Sequence, residues 1–420
     1  MVVEVFPTYE TTATELQCSG LVRLSISNVC STEIPTIYEL SKAAQSKVDN
    51  PRTNEPKELG YESLPIAKVI FVSHISVVSI DKFLNAAGPI LDVRSPGEFE
   101  QGHIPGAISF PLFTDEERAK VGICYKQQSR EQAVELGFDL VGPKLGEFIR
   151  QAKVLAPDGA VRVHCWRGGM RSGAIAWALD LAGFDIVTLE GGYKTFRQWV
   201  RSTLSITKKI VLLGGMTGTA KTDILHALAE QGEQVLDLEG YANHRGSSFG
   251  ALCLPPQPST EQFENILALE WQQFVPDRPV WIEAESRRVG ACRIPAELFE
   301  QMEAAFALEI TRPISERVAL LVDIYGKATP ADLISATERI RKRLGGQRTQ
   351  AAIAAIQVGD LATAVSITLD YYDRTYRYGL ENRDRLVPEI AVTGLSSSQA
   401  AQKLRMFLVN SSYTIKSKCQ

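Results

Sequence analysis

The sequence predicts an α/β protein in which one parallel-sheet domain is followed by a second α/β domain with a helical C-terminal part. Three observations predict it. From about residue 74, short β-branched and apolar runs alternate with helix-length segments, the pattern of parallel strands joined by crossover helices. Two of the runs, Val161–His164 and Lys208–Leu213, each end in a glycine-containing loop that leads into a helix. Such a loop aims successive backbone N–H groups and a positive helix end at an anion. Beyond about residue 295 the segments are mostly of helical length, with one returning strand.

At 420 residues the chain can bury two or three cores, and its 45% hydrophobic and 22% charged content is that of an ordinary globular protein. No apolar run approaches bilayer length, so no membrane span is expected. The start MVVEVFPTYETTATE lacks the basic and apolar regions of a secretory signal, and its acids argue against a transit peptide. Seven scattered cysteines (18, 30, 124, 165, 253, 292 and 419) form no CxxC pair and no metal-ligand spacing. That usage points to a reducing, cytoplasmic compartment and to no metal site. The formal charge of −4 argues against a generally basic nucleic-acid binder but leaves room for a local basic patch.

Residues 1–73, rich in Ser, Thr, Glu, Asn and Pro, read as a partly disordered N-terminal extension, with Leu21–Ile26 a candidate strand. Residues 74–205 form the first domain. Strands are expected at Ile75–Ile80, Pro89–Val93, Val161–His164 and Ile186–Leu189. Helices are expected at Asp81–Ala86, capped by Asp81, at Gly173–Ala182 and, after a break at Gly191–Gly192, at Tyr193–Thr203. Residues 206–420 form the second domain, with strands at Lys208–Leu213, Val235–Leu238, Val280–Glu283 and Glu389–Val392. Its helices are expected at Asp223–Gln231, Pro295–Leu308, Ile314–Tyr325, Pro330–Leu344, Arg348–Val358, Ala362–Arg377 and Ser397–Val409.

The chemistry concentrates in two loops. In the first, Cys165 is followed by Trp166, Arg167, Gly168, Gly169, Met170, Arg171 and Ser172. Amides and two arginines around one cysteine favour the thiolate, its reactive form. A buried, inert strand-end cysteine is the weaker alternative. Upstream lies Asp92-Val93-Arg94-Ser95-Pro96-Gly97-Glu98-Phe99-Glu100-Gln101-Gly102-His103-Ile104-Pro105-Gly106-Ala107. This stretch and the Cys165 loop together resemble a rhodanese domain, which implies a cysteine that carries a chalcogen inside a cradle of N–H donors. Asp92 and Arg94 read as a structural ion pair and His103 as a turn histidine. The spacing His164-Cys165-x5-Arg171 also satisfies the His-Cys-x5-Arg pattern of cysteine phosphatases, in which the cysteine would attack phosphorus. Both readings stand at this level.

In the second loop, Gly215-x-x-x-x-Ala220-Lys221-Thr222 is a Walker A pattern, a P-loop, with alanine where glycine is usual. The backbone of Gly215, Thr217, Gly218, Thr219 and Ala220 would cradle phosphates. Lys221 would pair their charge, and the Thr222 hydroxyl suits Mg²⁺. Ala220 enters the positive-φ region less freely than glycine. Glu283 or Glu285 sits where a Walker B carboxylate belongs, and Asp237, Glu239, His244, Arg245 and Ser247 crowd a loop at the end of a strand, where open α/β sheets bind ligands. Arg339, Arg341, Lys342, Arg343 and Arg348, with Arg374 and Arg377 beyond, form the local basic cluster.

The Cys165–Ser172 run, Tyr125-Lys126-Gln127-Gln128, the Asp237–Gly250 loop, Leu344-Gly345-Gly346 and Tyr371-Tyr372-Asp373 together resemble bacterial tRNA 2-selenouridine synthases, from about residue 75 to 410. The resemblance implies a transferase acting on the wobble uridine of tRNAs for Lys, Glu and Gln. A 2-thiouridine is S-geranylated with geranyl diphosphate, and selenophosphate, drawn from a supplying enzyme, then gives 2-selenouridine. It makes Cys165 the carrier of a selanylsulfide, and the basic cluster the expected tRNA surface. The P-loop is expected to hold the diphosphate of geranyl diphosphate, with a nucleotide as its other ligand by motif. The alternative is a rhodanese-type sulfurtransferase or a His-Cys-x5-Arg phosphatase fused to a nucleotide-binding module. Oligomeric state is not legible.

Overall fold

The computed structural model describes residues 9–12, 15–18, 74–381 and 387–410. Most of the expected N-terminal extension, including Leu21–Ile26, therefore lies outside the described residues. An antiparallel pair, β1 (Tyr9–Thr12) and β2 (Glu15–Cys18), is described there.

The first unit runs β3 (Ile75–Val78), α1 (Ile80–Asn85), β4 (Ile90–Asp92), α2 (Pro96–Gln101) and β5 (Ala107–Ser109). Three helices follow, α3 (Asp115–Gln127), α4 (Arg130–Val141) and α5 (Leu145–Leu155), and then β6 (Ala160–His164), α6 (Met170–Leu181), β7 (Asp185–Leu189) and α7 (Gly192–Leu204). All its strands are parallel, in the order β3-β7-β6-β4-β5. β6, which carries Cys165 at its end, lies at the centre. Starts are chemically marked: Ser95 and Thr114 close capping boxes with Glu98 and Glu117, and Pro96 occupies the first turn of α2. The cap of α1 is Ser79 rather than Asp81, which instead falls in the first turn.

The second unit is built from β8 (Ile210–Gly214), α8 (Lys221–Glu230), β9 (Gln234–Leu236), the single turn α9 (Leu238–Tyr241), α10 (Thr260–Gln273) and β10 (Val280–Glu283). The ribbon β11 (Arg288–Val289) and β12 (Cys292–Arg293) leads to α11 (Ala296–Ala304) and β13 (Phe306–Thr311). The helical region is α12 (Ile314–Tyr325), α13 (Pro330–Arg339), α14 (Arg341–Leu344), α15 (Gly346–Gln357) and α16 (Leu361–Glu381), and β14 (Glu389–Ala391) and α17 (Ser397–Asn410) close the chain. The sheet is parallel in the order β14-β13-β8-β10-β9, again with the loop-bearing strand in the middle.

One expected helix is wrong in part. Pro295–Leu308 ends at Ala304, because Phe306–Thr311 pairs with β8 and β14 and buries Leu308 and Ile310. Sheet pairing overrides the helix-favouring alanines and glutamates before it. The expected helix Pro330–Leu344 is likewise interrupted, at Ile340.

Each unit has a core of its own, around Leu91, Val163 and Ile186 in the first and Val211, Leu308 and Ile390 in the second, and a further core is shared between them. One apolar cluster runs from Phe83, Ile104, Tyr193 and Phe196 into Leu236, Phe263, Leu267 and Trp271. At this seam α7 packs on α10. The Tyr193 hydroxyl donates to Glu261 at 2.9 Å and accepts from Asn265 at 2.8 Å. The His103 N–H donates to Gln262 at 2.8 Å, and Arg197 pairs with Glu264. No described helix is long and apolar enough to cross a membrane.

Candidate active sites

Cys165 sits at the end of β6, 3% exposed. Its sulfur accepts the Gly169 N–H at 3.3 Å and lies 3.3 Å from the Ser172 hydroxyl. Burial pushes the thiol up, but the Ser172 hydroxyl and the amides of Ser172, Arg167 and Gly169 outweigh it, so Cys165 titrates below an ordinary thiol. The loop is clamped from behind: the N–H groups of Tyr193 and Lys194 donate to the Cys165 and Trp166 carbonyls at 2.8 and 3.0 Å. That close approach requires Gly192, whose φ is 63°, since a Cβ there would lie 2.3 Å from the Cys165 carbonyl oxygen.

The arginines are placed differently from the expectation. Arg171 points to Glu98, with Nη1 2.6 Å from Oε2, and Arg167 is exposed. Glu98 is itself held low, since Arg171, the Ser95 amide and Arg118 outweigh the effect of its burial. The thiol is therefore tuned by a hydroxyl and backbone dipoles, with the Arg171 charge already matched. Gly168, Met170 and Trp166 line the exposed side of the loop, Trp166 at 37%. Asp92 and Arg94 form a buried pair at 2.6 Å, and the Arg94 guanidinium also donates to Gly102 O and lies 3.7 Å from the Tyr193 ring centre. His103 stacks on Phe99 and bonds its carbonyl at 3.0 Å. His164 is fully buried, and that burial pushes it down to about 4, so it is neutral at physiological pH.

The P-loop joins β8 to α8. Ala220 has φ 68° and ψ 34°, in the left-handed region. The Lys221 ammonium donates to Gly215 O at 2.8 Å, the Thr222 hydroxyl to Glu239 at 2.9 Å, and the Thr219 hydroxyl to Met216 O at 2.8 Å. Residues that the motif does not name hold the loop. The Gly215 N–H donates to the Tyr376 hydroxyl at 2.8 Å, and Arg317, paired with Asp373 inside the protein, donates to Thr217 O at 2.8 Å. In the sequence, the Tyr371-Tyr372-Asp373 run is the one signal that points to this bracing.

Carboxylates crowd the other side. Asp237 caps α9 through the Gly240 N–H, and Glu283 accepts the Glu239 N–H at 2.9 Å. A Cβ on Gly246 would lie 3.0 Å from an oxygen of each of Glu239 and Glu285, so these two carboxylates meet over that glycine. Burial, reinforced by Glu239 and opposed by Lys221, pushes Glu285 up to about 7. Burial and the nearby Asp237 also hold Glu283 well above the usual carboxylate range. His244 is held down by its burial and by Arg339. Arg245 donates to Leu252 O at 3.0 Å and the Ser247 hydroxyl accepts the Phe249 N–H, so both brace the loop. Next to the P-loop, a narrow apolar cavity opens between Thr217, Ser247, Phe249, Leu321, Tyr325 and Leu369. Among the described residues, no group of three or more His, Cys, Asp and Glu is arranged to hold a metal ion.

The basic cluster is weaker than its sequence suggests. Arg341 pairs with Glu338, and Arg348 and Arg374 share Asp370, each at 2.5 Å. Arg339 donates to Ser248 O at 2.7 Å and so anchors the Asp237–Gly250 loop. Lys342 and Arg343 remain without a carboxylate partner among the described residues. The side chain of Arg377 lies outside the described residues. Tyr372 accepts the Ser248 N–H at 3.1 Å, a bracing role.

Fold and sites define a two-centre class: a reactive cysteine in an amide cradle, joined through a shared core to a P-loop unit. Two family models match, a rhodanese-like domain over residues 77–199 and a tRNA 2-selenouridine synthase AAA domain over residues 208–401. The tRNA 2-selenouridine synthase of Pseudomonas fluorescens is 36% identical over 344 residues, covering 72% of this chain and 91% of the relative. That of Pseudomonas putida is 37% identical over 336 residues, covering 69% and 88%. The chain belongs to the tRNA 2-selenouridine synthase family of enzymes. Among solved structures, a tRNA isopentenylpyrophosphate transferase from Bacillus halodurans matches 48% of this chain and 96% of its own, at 9% identity and a TM-score of 0.29.

Proposed function

We propose that the enzyme converts 2-thiouridine to 2-selenouridine at the wobble position of tRNA in two steps, one at each loop. In the first, the thiocarbonyl sulfur attacks geranyl diphosphate. The C–O bond breaks, an S–C bond forms, diphosphate leaves and the N3 proton is lost. A thiocarbonyl sulfur leaves poorly, whereas an S-alkylated one departs as a thiol. In the second step, water takes the phosphoryl group of selenophosphate as phosphate, the freed selenide and the Cys165 thiolate join as a selanylsulfide while a disulfide oxidant accepts the two electrons, the terminal selenium attacks C2, geranylthiol leaves, and a thiol reductant cleaves the remaining selenium–sulfur bond. By the family resemblance, the tRNAs are those for Lys, Glu and Gln, and a selenophosphate-forming enzyme is the partner.

The observation that carries this reading is the pairing of a buried, low-titrating Cys165 with a P-loop that abuts an apolar cavity. Phosphate-binding amides suit a diphosphate, and the apolar lining of the adjacent cavity, which at about 40 Å³ must widen to admit a geranyl chain, favours a hydrocarbon over a base and sugar that need polar partners. Lys221 would pair the diphosphate charge, and Thr222 with Glu239 would hold a Mg²⁺ that neutralises the leaving group. For the cysteine, the match of Arg171 to Glu98 disfavours a phosphatase, which needs that guanidinium for the phosphate. The test is the full protein with 2-thiouridine tRNA, geranyl diphosphate and selenophosphate, followed by nucleoside mass spectrometry. The expected products are S-geranyl-2-thiouridine and 2-selenouridine. An unchanged tRNA, with Cys165-dependent phosphate release from esters, would overturn the proposal.

A further inference from the structure

The Cys165 loop opens onto a cleft that the two-step reading does not use. Its volume is about 410 Å³, within the range of small-molecule sites. It is lined by Trp166, Glu98, Gln101, Asp115 and Arg118 from the first unit and by Glu261 from the second. We infer that this cleft seats a pyrimidine base splayed out of a nucleic-acid strand, stacked on Trp166 beside Cys165. The inference rests on the tRNA-modifying reading and deepens it by placing the base for the cysteine step.

Trp166 directly follows the reactive cysteine and is 37% exposed. It is also backed by neighbours. Its carbonyl accepts the Lys194 N–H at 3.0 Å, and the Tyr193 ring backs the indole at 5.8 Å. A partly exposed aromatic face is what an unstacked base needs.

The charges around it discriminate between ligands. Glu98, Asp115 and Glu261 bring three carboxylates to the walls, Glu98 paired with Arg171, while the Arg94 charge is matched by the buried Asp92. Such a lining disfavours a free anion such as selenophosphate and suits the neutral S-alkylated base. Arg118, 3.7 Å from Glu98 with about half of its side chain exposed, is the cation left to meet a backbone phosphate. Arg171 on Glu98 ties the cleft wall to the sulfur loop, so a base seated here lies next to the cysteine's anion cradle.

The cleft is completed only by the packing of the two units. Glu261 is fixed by the Tyr193 hydroxyl at 2.9 Å, and the Ser259 hydroxyl donates to Gln101 O at the cleft edge. A base leaving the P-loop centre would therefore enter a pocket whose walls belong to both units.

The test uses the full-length protein and an anticodon stem-loop with 5-iodouridine at the wobble position, irradiated and digested with trypsin. The crosslink is expected on Trp166, in the peptide Val163–Arg167. In the selenation assay, Trp166→Ala should raise the KM for tRNA about ten- to a hundredfold, with rescue by Trp166→Phe, and Arg118→Ala about tenfold with kcat little changed. Crosslinks confined to the P-loop or to the helical arginines would overturn the cleft assignment. So would a Trp166→Ala enzyme with unchanged KM but poor selenium loading of Cys165, which would make Trp166 part of the donor's seat. Either result with an active wild-type enzyme leaves the two-step reading intact. An inactive wild-type enzyme would overturn that reading itself.

Discussion

The two reactive loops are built alike and finished in opposite ways. Each follows the central strand of a parallel sheet and feeds a helix, so each presents amides to an anion. Around Cys165 the finishing groups are donors, the Ser172 hydroxyl and three backbone amides, and they pull the thiol down. Around Lys221 they are carboxylates, Glu239, Glu283 and Glu285, and mutual repulsion with burial pushes two of them up. The same local scaffold thus stabilises a negative nucleophile in one place and stores protons in the other. What differs is the source of the finishing groups: at Cys165 they come from the loop itself, at Lys221 from distant parts of the chain.

The largest effect should come from separating the two centres. Cys165→Ala should reduce selenium incorporation by about 10³-fold or more and leave prenyl transfer in place, read by nucleoside mass spectrometry. Lys221→Ala should do the reverse, lowering prenyl transfer about 10²- to 10³-fold while selenium still loads on Cys165. Equal loss of both activities in either variant would break the comparison.

Smaller effects sharpen the electrostatic half. Ser172→Ala removes a donor to the thiolate, so the pH profile of Cys165 alkylation should move to higher pH, with a severalfold slower rate near neutrality. An unmoved profile would leave the backbone amides as the whole cause. Glu285 works with the opposite sign. Its folded carboxyl keeps a proton that the unfolded chain releases near 4.5, so the folded state binds more protons between there and about 7. Stability should therefore fall as pH rises through that window and level off above it. Glu285→Gln should flatten the dependence of Tm on pH.

The smallest effect concerns Ala220, whose φ of 68° is costly for any residue with a Cβ. Ala220→Gly should stabilise the protein by about 1 kcal/mol or less, after the gain in unfolded-chain entropy is subtracted. A lower Tm in that variant would show that the methyl group packs favourably enough to offset the strain.

Both loops were legible because their chemistry is contiguous: Cys165–Ser172 and Gly215–Thr222 each carry cysteine or lysine, glycines and helix start within eight residues. Strands such as Val280–Glu283 were legible for the same local reason. Partners from far away were not. Glu98 meets Arg171 across 73 positions, and Tyr193 meets Glu261 across 68. In the arginine cluster, the pairing of Arg348 and Arg374 with Asp370 was not legible, because only the helices bring them together. Phe306–Leu308 read as the end of a helix because only its neighbours in the sheet make it a strand. The polar helices Asp115–Gln127 and Arg130–Val141 carried too little apolar periodicity to be seen.

The central claim is that the loops are two centres acting in sequence on one base. It is tested most directly by giving Lys221→Ala enzyme a tRNA already S-geranylated at the wobble 2-thiouridine, with selenophosphate and a thiol reductant. The account predicts 2-selenouridine at close to the wild-type rate, and none when Cys165→Ala is added. No 2-selenouridine from the Lys221→Ala enzyme, or its formation without Cys165, would contradict the account.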